Sequence, residues 1–286
     1  MTDKTVLITG CSTGGIGSAL AKEFHAKGLR VFATSRTVES MQDLSALGIE
    51  VLSLDVTDIQ AIRSTRDEIA TRTGGKLDIL VNNAGHAYPV AAIDMDMSAV
   101  RALFEVNLFA PICMVQEFVS LLIASGRGCI VNIGSVSGIM PVPFSAAYNT
   151  SKAALHAFGN TLRVELAPFD INVLNVITGG VKSNIVKPHT IPDTSLYKSM
   201  EQVYQKQRIT VSQQDATHTA EYARTVVAEA IKTRPRAWLW TAKNALLCWL
   251  VDTFLWRTAF DWFMQKKFGF LAFSLNLRGR AKDKRV

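Results

Sequence analysis

The sequence predicts an α/β protein built on a doubly wound parallel sheet, one domain with a helical, Trp-rich C-terminal extension. Three observations predict it. Short, nearly continuous apolar runs alternate with helical stretches. A glycine-rich turn separates the first run from the first helix. No internal repeat or Pro/Ser-rich linker breaks the alternation. The 286 residues suffice for a buried core, and 48% hydrophobic against 19% charged residues excludes disorder as the main state.

The strand candidates are Thr5–Thr9, Arg30–Thr34, Glu50–Leu54, Asp78–Asn82, Gly128–Ile133 and Ile171–Ile177. They are short and apolar throughout, the pattern of strands buried on both faces. Helical spacing covers Ile16–Lys27, Ile59–Thr71, Ser98–Ala124 and Ala147–Ala167. A main domain is expected over 1–240, and an amphipathic extension with a basic tail over 241–286. After Gly179 the run GGVKSNIVKPHTIPDTSLYKS has turn formers and no strong periodicity. It fits either a lid over a substrate or an ordinary surface excursion.

The glycine turn reads Thr9-Gly10-Cys11-Ser12-Thr13-Gly14-Gly15-Ile16-Gly17. Glycines there allow a tight turn and close backbone approach to a pyrophosphate, and the helix N-terminus offers free N–H groups. That places Gly10, Ser12, Gly14, Ile16 and Gly17 on a dinucleotide, in a Rossmann-type arrangement. No Gly-Lys-Ser/Thr follows, so it is not a nucleotide-triphosphate loop. The second run ends Thr34-Ser35-Arg36, with no acid before Glu39. An acid there would bind a ribose 2′-hydroxyl; Arg36 instead matches a 2′-phosphate, which favours NADP. Asp55 follows the third run, where a carboxylate can accept from the adenine amine or cap the next helix.

Tyr148 and Lys152 sit four residues apart at the start of a helix, on one face. A free phenol titrates near pH 10, and a neighbouring ammonium lowers that value. Such a Tyr can protonate a carbonyl oxygen or take a proton from an alcohol. Ser135 closes the fifth run, thirteen residues earlier, where its hydroxyl would hold the substrate oxygen.

Taken together these residues resemble the short-chain dehydrogenase/reductase family. The family patterns occur in order as TGCSTGGIG, Asn82-Asn83-Ala84-Gly85, Asn107 in EVNLFAP, Ser135, and Tyr148 with Lys152. The resemblance implies NADP-dependent oxidoreduction of CH–OH and C=O groups, with Asn107, Ser135, Tyr148 and Lys152 catalytic. It implies that Tyr148 and Lys152 also touch the cofactor, that Asn83 lines its adenosine side, and that Asn107 supports a relay behind Lys152. It further implies subunit pairing through the helices holding Asn107 and Tyr148. Two departures stand out. The glycine turn has one extra residue, so either Gly14 or Gly15 takes the middle role. The run Ile177-Thr178-Gly179-Gly180-Val181-Lys182-Ser183 lacks a Pro common in the family, with Val181 and Ser183 expected at the nicotinamide carboxamide. Within the family, ITGGVKSNI and the Trp-rich C-terminus look most like fungal NADPH-dependent 1-acyldihydroxyacetone phosphate reductases. That implies an apolar, lipid-like ketone and peripheral attachment to endoplasmic reticulum or lipid droplets on the cytosolic side.

All five Trp lie between Ala237 and Phe273, interrupted by Lys243, Asp252, Arg257 and Asp261. Those charges exclude a spanning helix there, and no apolar run elsewhere is expected to reach the roughly 18 residues of a membrane span. The net charge is +7, and the stretch from Lys266 onward holds nearly all of it. A solvated tail and attraction to an anionic membrane surface both fit this, while nucleic acid does not. Aromatics at helical spacing equally fit a substrate wall or subunit contact. The N-terminus passes straight into a strand with no leader signature. Four scattered cysteines and five His without ligand spacing predict neither disulfide scaffold nor metal site. His86, and the acids Asp94, Asp96 and Glu105, are expected in solvent; Cys11 is expected as a buried thiol. The expected function is therefore an NADPH-dependent carbonyl reductase of a lipid-like ketone. The rivals are a tailoring ketoreductase or alcohol dehydrogenase of terpenoid, steroid or polyketide metabolism, and a cofactor-bound scaffold without turnover.

Overall fold

The computed structural model describes residues 4–185, 189–210, 214 and 216–283. Seven strands pair in parallel in the order β3-β2-β1-β4-β5-β6-β7. They are β1 (Thr5–Thr9), β2 (Arg30–Ser35), β3 (Glu50–Ser53), β4 (Ile79–Asn82), β5 (Cys129–Ile133), β6 (Asn172–Thr178) and β7 (Trp238–Thr241). The helices are α1 (Ile16–Ala26), α2 (Ile59–Thr73), α3 (Met97–Ala124), α4 (Ala146–Glu165), α5 (Thr219–Ala230), α6 (Ala245–Phe254), α7 (Ala259–Lys267) and α8 (Phe270–Asp283).

Alternation along the strands builds two cores. Val6 and Ile8 face α1 and α5, meeting Leu20, Phe24, Tyr222 and Val226. Leu7, between them, faces α2, α3 and α4, meeting Ile62, Phe118 and Leu162. Both faces of β1 are thus dry, which is why it reads as a continuous apolar run. Each such side chain contributes about 1.5–3 kcal/mol on burial. The strand order reverses at the β1/β4 junction, so a crevice opens there beyond the carboxyl ends of the strands.

Beneath that crevice a polar ladder pins the register of the central strands. Asn82 donates to Asn132 (3.0 Å) and Asn132 to Asn175 (3.3 Å), residues that are also partners in the sheet. A one-residue slip would break this chain and turn every side chain to the wrong face.

Three features depart from the sequence expectation. Helix α3 is long and apolar enough, by length and composition, to cross a membrane. Its face carrying Met114, Phe118 and Leu122 instead packs on the sheet, and its apolar length comes from that burial. It widens at Glu105–Phe109, where Pro111 cannot donate to the carbonyl of Asn107. Second, Trp238–Thr241 forms an edge strand that spans the expected boundary at residue 240. Its Trp-Leu-Trp-Thr sequence puts two aromatics on one face, which suits a strand as well as a helix. Third, the excursion after Gly179 folds back: Ile191, Met200 and Tyr204 pack with Phe144, Met264 and Phe268. Its residues 186–188 lie outside the described ones.

Candidate active site

The glycine turn leaves β1 at Gly10 and enters α1, whose N-terminus has no side-chain cap and no acid in its first turn. Its first N–H groups therefore remain available to an anion. A Cβ at Gly17 would lie 2.4 Å from the Gly10 carbonyl oxygen, so only glycine permits this packing. Gly14, at φ +76°, takes the turn that the extra residue left open; Gly15 adopts an extended conformation. Ser12 is exposed with its hydroxyl 3.3 Å from that of Ser40, and Ile16 opens α1 half-buried. The residues present fit a dinucleotide pyrophosphate.

Asn83 braces this turn. Its amide donates to the carbonyls of Thr9 (2.8 Å) and Gly10 (3.0 Å). Arg36 leaves the end of β2 exposed, with no ion pair among the described residues. Asp55 accepts from the N–H (2.9 Å) and hydroxyl (2.7 Å) of Thr57. Those bonds, then the charge of Arg36, hold its carboxyl below the usual range. Asp58, not Asp55, caps α2, accepting from the N–H of Gln60 (2.8 Å). Val181 is buried beyond β6, and Ser183 half-buried.

The catalytic candidates converge beside this crevice. Ser135, Tyr148 and Lys152 are all buried, the first at the end of β5 and the others on α4. Burial pushes the Tyr148 phenol above its ordinary value; the Ser135 hydroxyl and the charge of Arg208 pull it back. Lys152 sits 5.8 Å from the centre of the Tyr148 ring and donates to the Ile133 carbonyl at 2.8 Å. Burial brings its own value down to about 8. A second cation, Arg208, thus acts on the phenol beside Lys152. Asn107 lies in the widened turn of α3. It donates to the His86 carbonyl (3.0 Å) and the Ser151 hydroxyl (3.1 Å), and accepts from the His86 N–H (3.0 Å). It holds α3, α4 and the loop after β4 together, with no direct bond to Lys152 among the described ones.

Two residues that sequence reasoning passed over belong here. His156 lies one turn beyond Lys152 on α4, and its Nε2 accepts the Ser135 N–H at 3.2 Å. Burial brings it down to about 4, so it is a neutral acceptor at physiological pH. Its spacing from Tyr148 and Lys152, eight and four residues along one helix face, is the signal the sequence carries for it. The other is Arg208. Of the remaining expectations, His86 is exposed, and Asp96 caps α3. Burial pushes the Cys11 thiol up to about 12, so it is unreactive.

A dinucleotide cradle beside a buried Ser, Tyr and Lys defines an NAD(P)-dependent oxidoreductase of the CH–OH/C=O type. The chain belongs to the short-chain dehydrogenase family, whose sequence profile matches residues 4–193. It is 43% identical over 270 residues to short-chain dehydrogenase virD of Hypocrea virens, covering 93% of this chain and 92% of that one. It is 46% identical over 202 residues to the NADPH-dependent 1-acyldihydroxyacetone phosphate reductase of Schizosaccharomyces pombe, covering 68% of each. The acyldihydroxyacetone phosphate reductase is therefore one of several fungal relatives at similar identity, and virD spans more of the chain. Among solved structures, a metagenomic short-chain oxidoreductase in complex with NADP is 33% identical, with a TM-score of 0.57 over 63% of this chain and 83% of that one.

The depressed value of His156 makes acid stability its signature. Below pH 6.5 the unfolded chain takes up a proton that the folded imidazole refuses until about pH 4. Between pH 7 and pH 5 the native protein should lose about 2 kcal/mol more stability than His156→Gln, read by urea unfolding. An equal loss in both would contradict the buried neutral imidazole.

Proposed function

We propose that this chain is an NADPH-dependent carbonyl reductase acting on an apolar ketone, in the manner of a tailoring enzyme of terpenoid, steroid or polyketide metabolism. The observation that carries this is the dry Ser135–Tyr148–Lys152 cluster opening beside the glycine cradle. When bound, the nicotinamide supplies the hydride that adds to the carbonyl carbon. Ser135 holds the carbonyl oxygen by its hydroxyl. Tyr148 gives its proton to that oxygen as negative charge develops there, and the resulting phenolate is stabilised by Ser135 and Arg208. Lys152 holds the cofactor ribose and keeps a positive charge behind the ring. In the reverse direction the same phenolate accepts the proton of an alcohol.

The tailoring reading is supported by relatives such as virD, which match nearly the whole chain. An acyldihydroxyacetone phosphate substrate is the narrower alternative, supported by the Schizosaccharomyces pombe relative. A scaffold without turnover has no support in a site where each proton-handling group is present. Arg36 at the end of β2 supports NADPH, since no carboxylate stands where a ribose 2′-hydroxyl would need one. Exposed Phe109 on α3 and Val164 on α4 support pairing of two subunits through those helices.

The C-terminal helices support contact with a membrane surface. Leu246, Leu250, Phe254, Trp256, Trp262 and Phe263 are exposed on α6, α7 and the link between them. Lys266 lies over the Trp262 ring at 5.0 Å. Indole rings rimmed by lysine suit the headgroup boundary of an anionic leaflet.

Three measurements test this. Tyr148→Phe should lower NADPH-dependent ketone reduction by about 100-fold or more; unchanged turnover would overturn the chemistry. NADPH should be preferred over NADH at least about tenfold in kcat/KM, and Arg36→Ala should erase the preference; equal use by the native enzyme would remove the role of Arg36. Full-length protein should float with phosphatidylserine vesicles, and the triple change of Trp256, Trp262 and Phe263 to Ser should release it; protein that stays at the bottom of the gradient would reject membrane contact.

A further inference from the structure

Arg208 poses a problem that the carbonyl chemistry alone does not answer. It is 7% exposed, on the segment that folds back over the crevice after β6. A guanidinium has five N–H donors and stays charged. Its Nε donates to the Ser145 hydroxyl at 2.6 Å. Among the described residues its two Nη groups have no hydrogen-bond partner, and no acid lies within ion-pair distance of it. The groups that feel its charge are the phenols of Tyr148 and Tyr204. Tyr204 is itself engaged, donating to the Pro89 carbonyl at 2.7 Å. Glu201, on the preceding turn, is taken up by the Ile191 N–H and the Gln205 amide, both at 2.8 Å, and lies 3.7 Å from Lys198.

Removing an arginine from water without a counter-charge is costly, and folded proteins tolerate it where a ligand completes the pair. The surroundings are built to hold it. Ser145 immediately precedes α4, three residues before Tyr148. Phe144 before it adopts φ 56°, a conformation unusual for a bulky residue, and its ring packs on Tyr204 at 5.2 Å. The guanidinium is thus fixed against the start of the helix that carries the phenol.

We propose that Arg208 is an anchor for an acidic group on the substrate, a carboxylate or a phosphate carried close to the carbonyl that is reduced. This rests on the carbonyl-reductase reading above and narrows its substrate class to an amphiphile: an apolar body, a ketone, and an anion near it. A planar fork with two free Nη groups suits bidentate contact with either acid.

The test is equilibrium binding by calorimetry to the full-length protein, with and without NADP+, which cannot reduce a ketone. Two matched pairs serve as probes: 3-oxodecanoate against its methyl ester, and 1-hexadecanoyl-dihydroxyacetone phosphate against the same ketone without phosphate. In the native protein the acid of at least one pair should bind about tenfold or more tighter than its neutral partner, worth about 1.4 kcal/mol. Preference in the first pair identifies a carboxylate, in the second a phosphate. Arg208→Gln should bring that ratio to near one, and Arg208→Lys, which keeps the charge but not the fork, should leave it intermediate. The native ratios alone decide the matter if Arg208→Gln does not fold. Equal or weaker binding of both acids, binding of no probe, or an acid preference that survives in Arg208→Gln would each overturn the assignment. Any of these would leave the Tyr148→Phe experiment, which uses turnover, free to stand or fall by itself.

Discussion

A phenol held out of water is the constraint around which this molecule is arranged. Burial alone moves Tyr148 in the wrong direction for proton exchange, because it favours the neutral form. The site therefore needs groups that stabilise the phenolate without admitting solvent, and each comes from a different part of the chain. Ser135 comes from the end of β5, Lys152 from the next turn of α4, and Arg208 from the segment that folds over the crevice. A cation near the phenol cannot be free of cost either: Lys152 is itself brought down to about 8 by burial. Its ammonium is retained at neutral pH with the Ile133 carbonyl accepting from it. The pair is thus a compromise between two desolvated groups, and the second cation at Arg208 shares the load.

Helix α4 reaches β5 closely enough for this only because the chain between them is stripped of bulk. A Cβ at Gly134 would lie 2.3 Å from His156 Nε2, the atom that accepts the Ser135 N–H. With that bond, His156 sets where the serine backbone sits, and the Trp238 ring on β7 packs against the imidazole at 5.4 Å between centroids, tilted by 58°. Trp238 is held in turn by its indole N–H donating to Asn160 at 2.7 Å. Serine placement is therefore coupled through one histidine to the edge of the sheet, an arrangement that depends on the imidazole staying neutral.

The sheet was legible in the sequence because both of its faces are dry. Six of its strands read as unbroken apolar runs, and their boundaries shift by one residue or so in the structure. The cradle and the Ser135, Tyr148 and Lys152 cluster were legible because their chemistry demands fixed residue types at short spacing. Strand β7 was not, since WLWT carries no period long enough to separate strand from helix. Arg208 was not legible for a different reason. An arginine in QKQRIT looks like a solvated charge, and only tertiary contact with Ser145, sixty-three residues away, removes it from water. The spacing of Tyr148 and Lys152 gave their shared face, on which Lys152 lies 5.8 Å from the phenol ring, but not the bond from its ammonium to the Ile133 carbonyl.

The C-terminal segment beyond β7 packs back onto the core around the candidate site. Cys248 on α6 and Phe260 on α7 pack with Val136, the residue after Ser135. Met264 and Phe268 pack with Phe144, next to the serine that holds Arg208. The inner faces of these helices thus close the core beside the candidate site, while Trp262 on α7 and Trp256 in the link before it are exposed. These short helices therefore carry aromatic residues on both of their sides, where a helix that only covered a core would carry them on one.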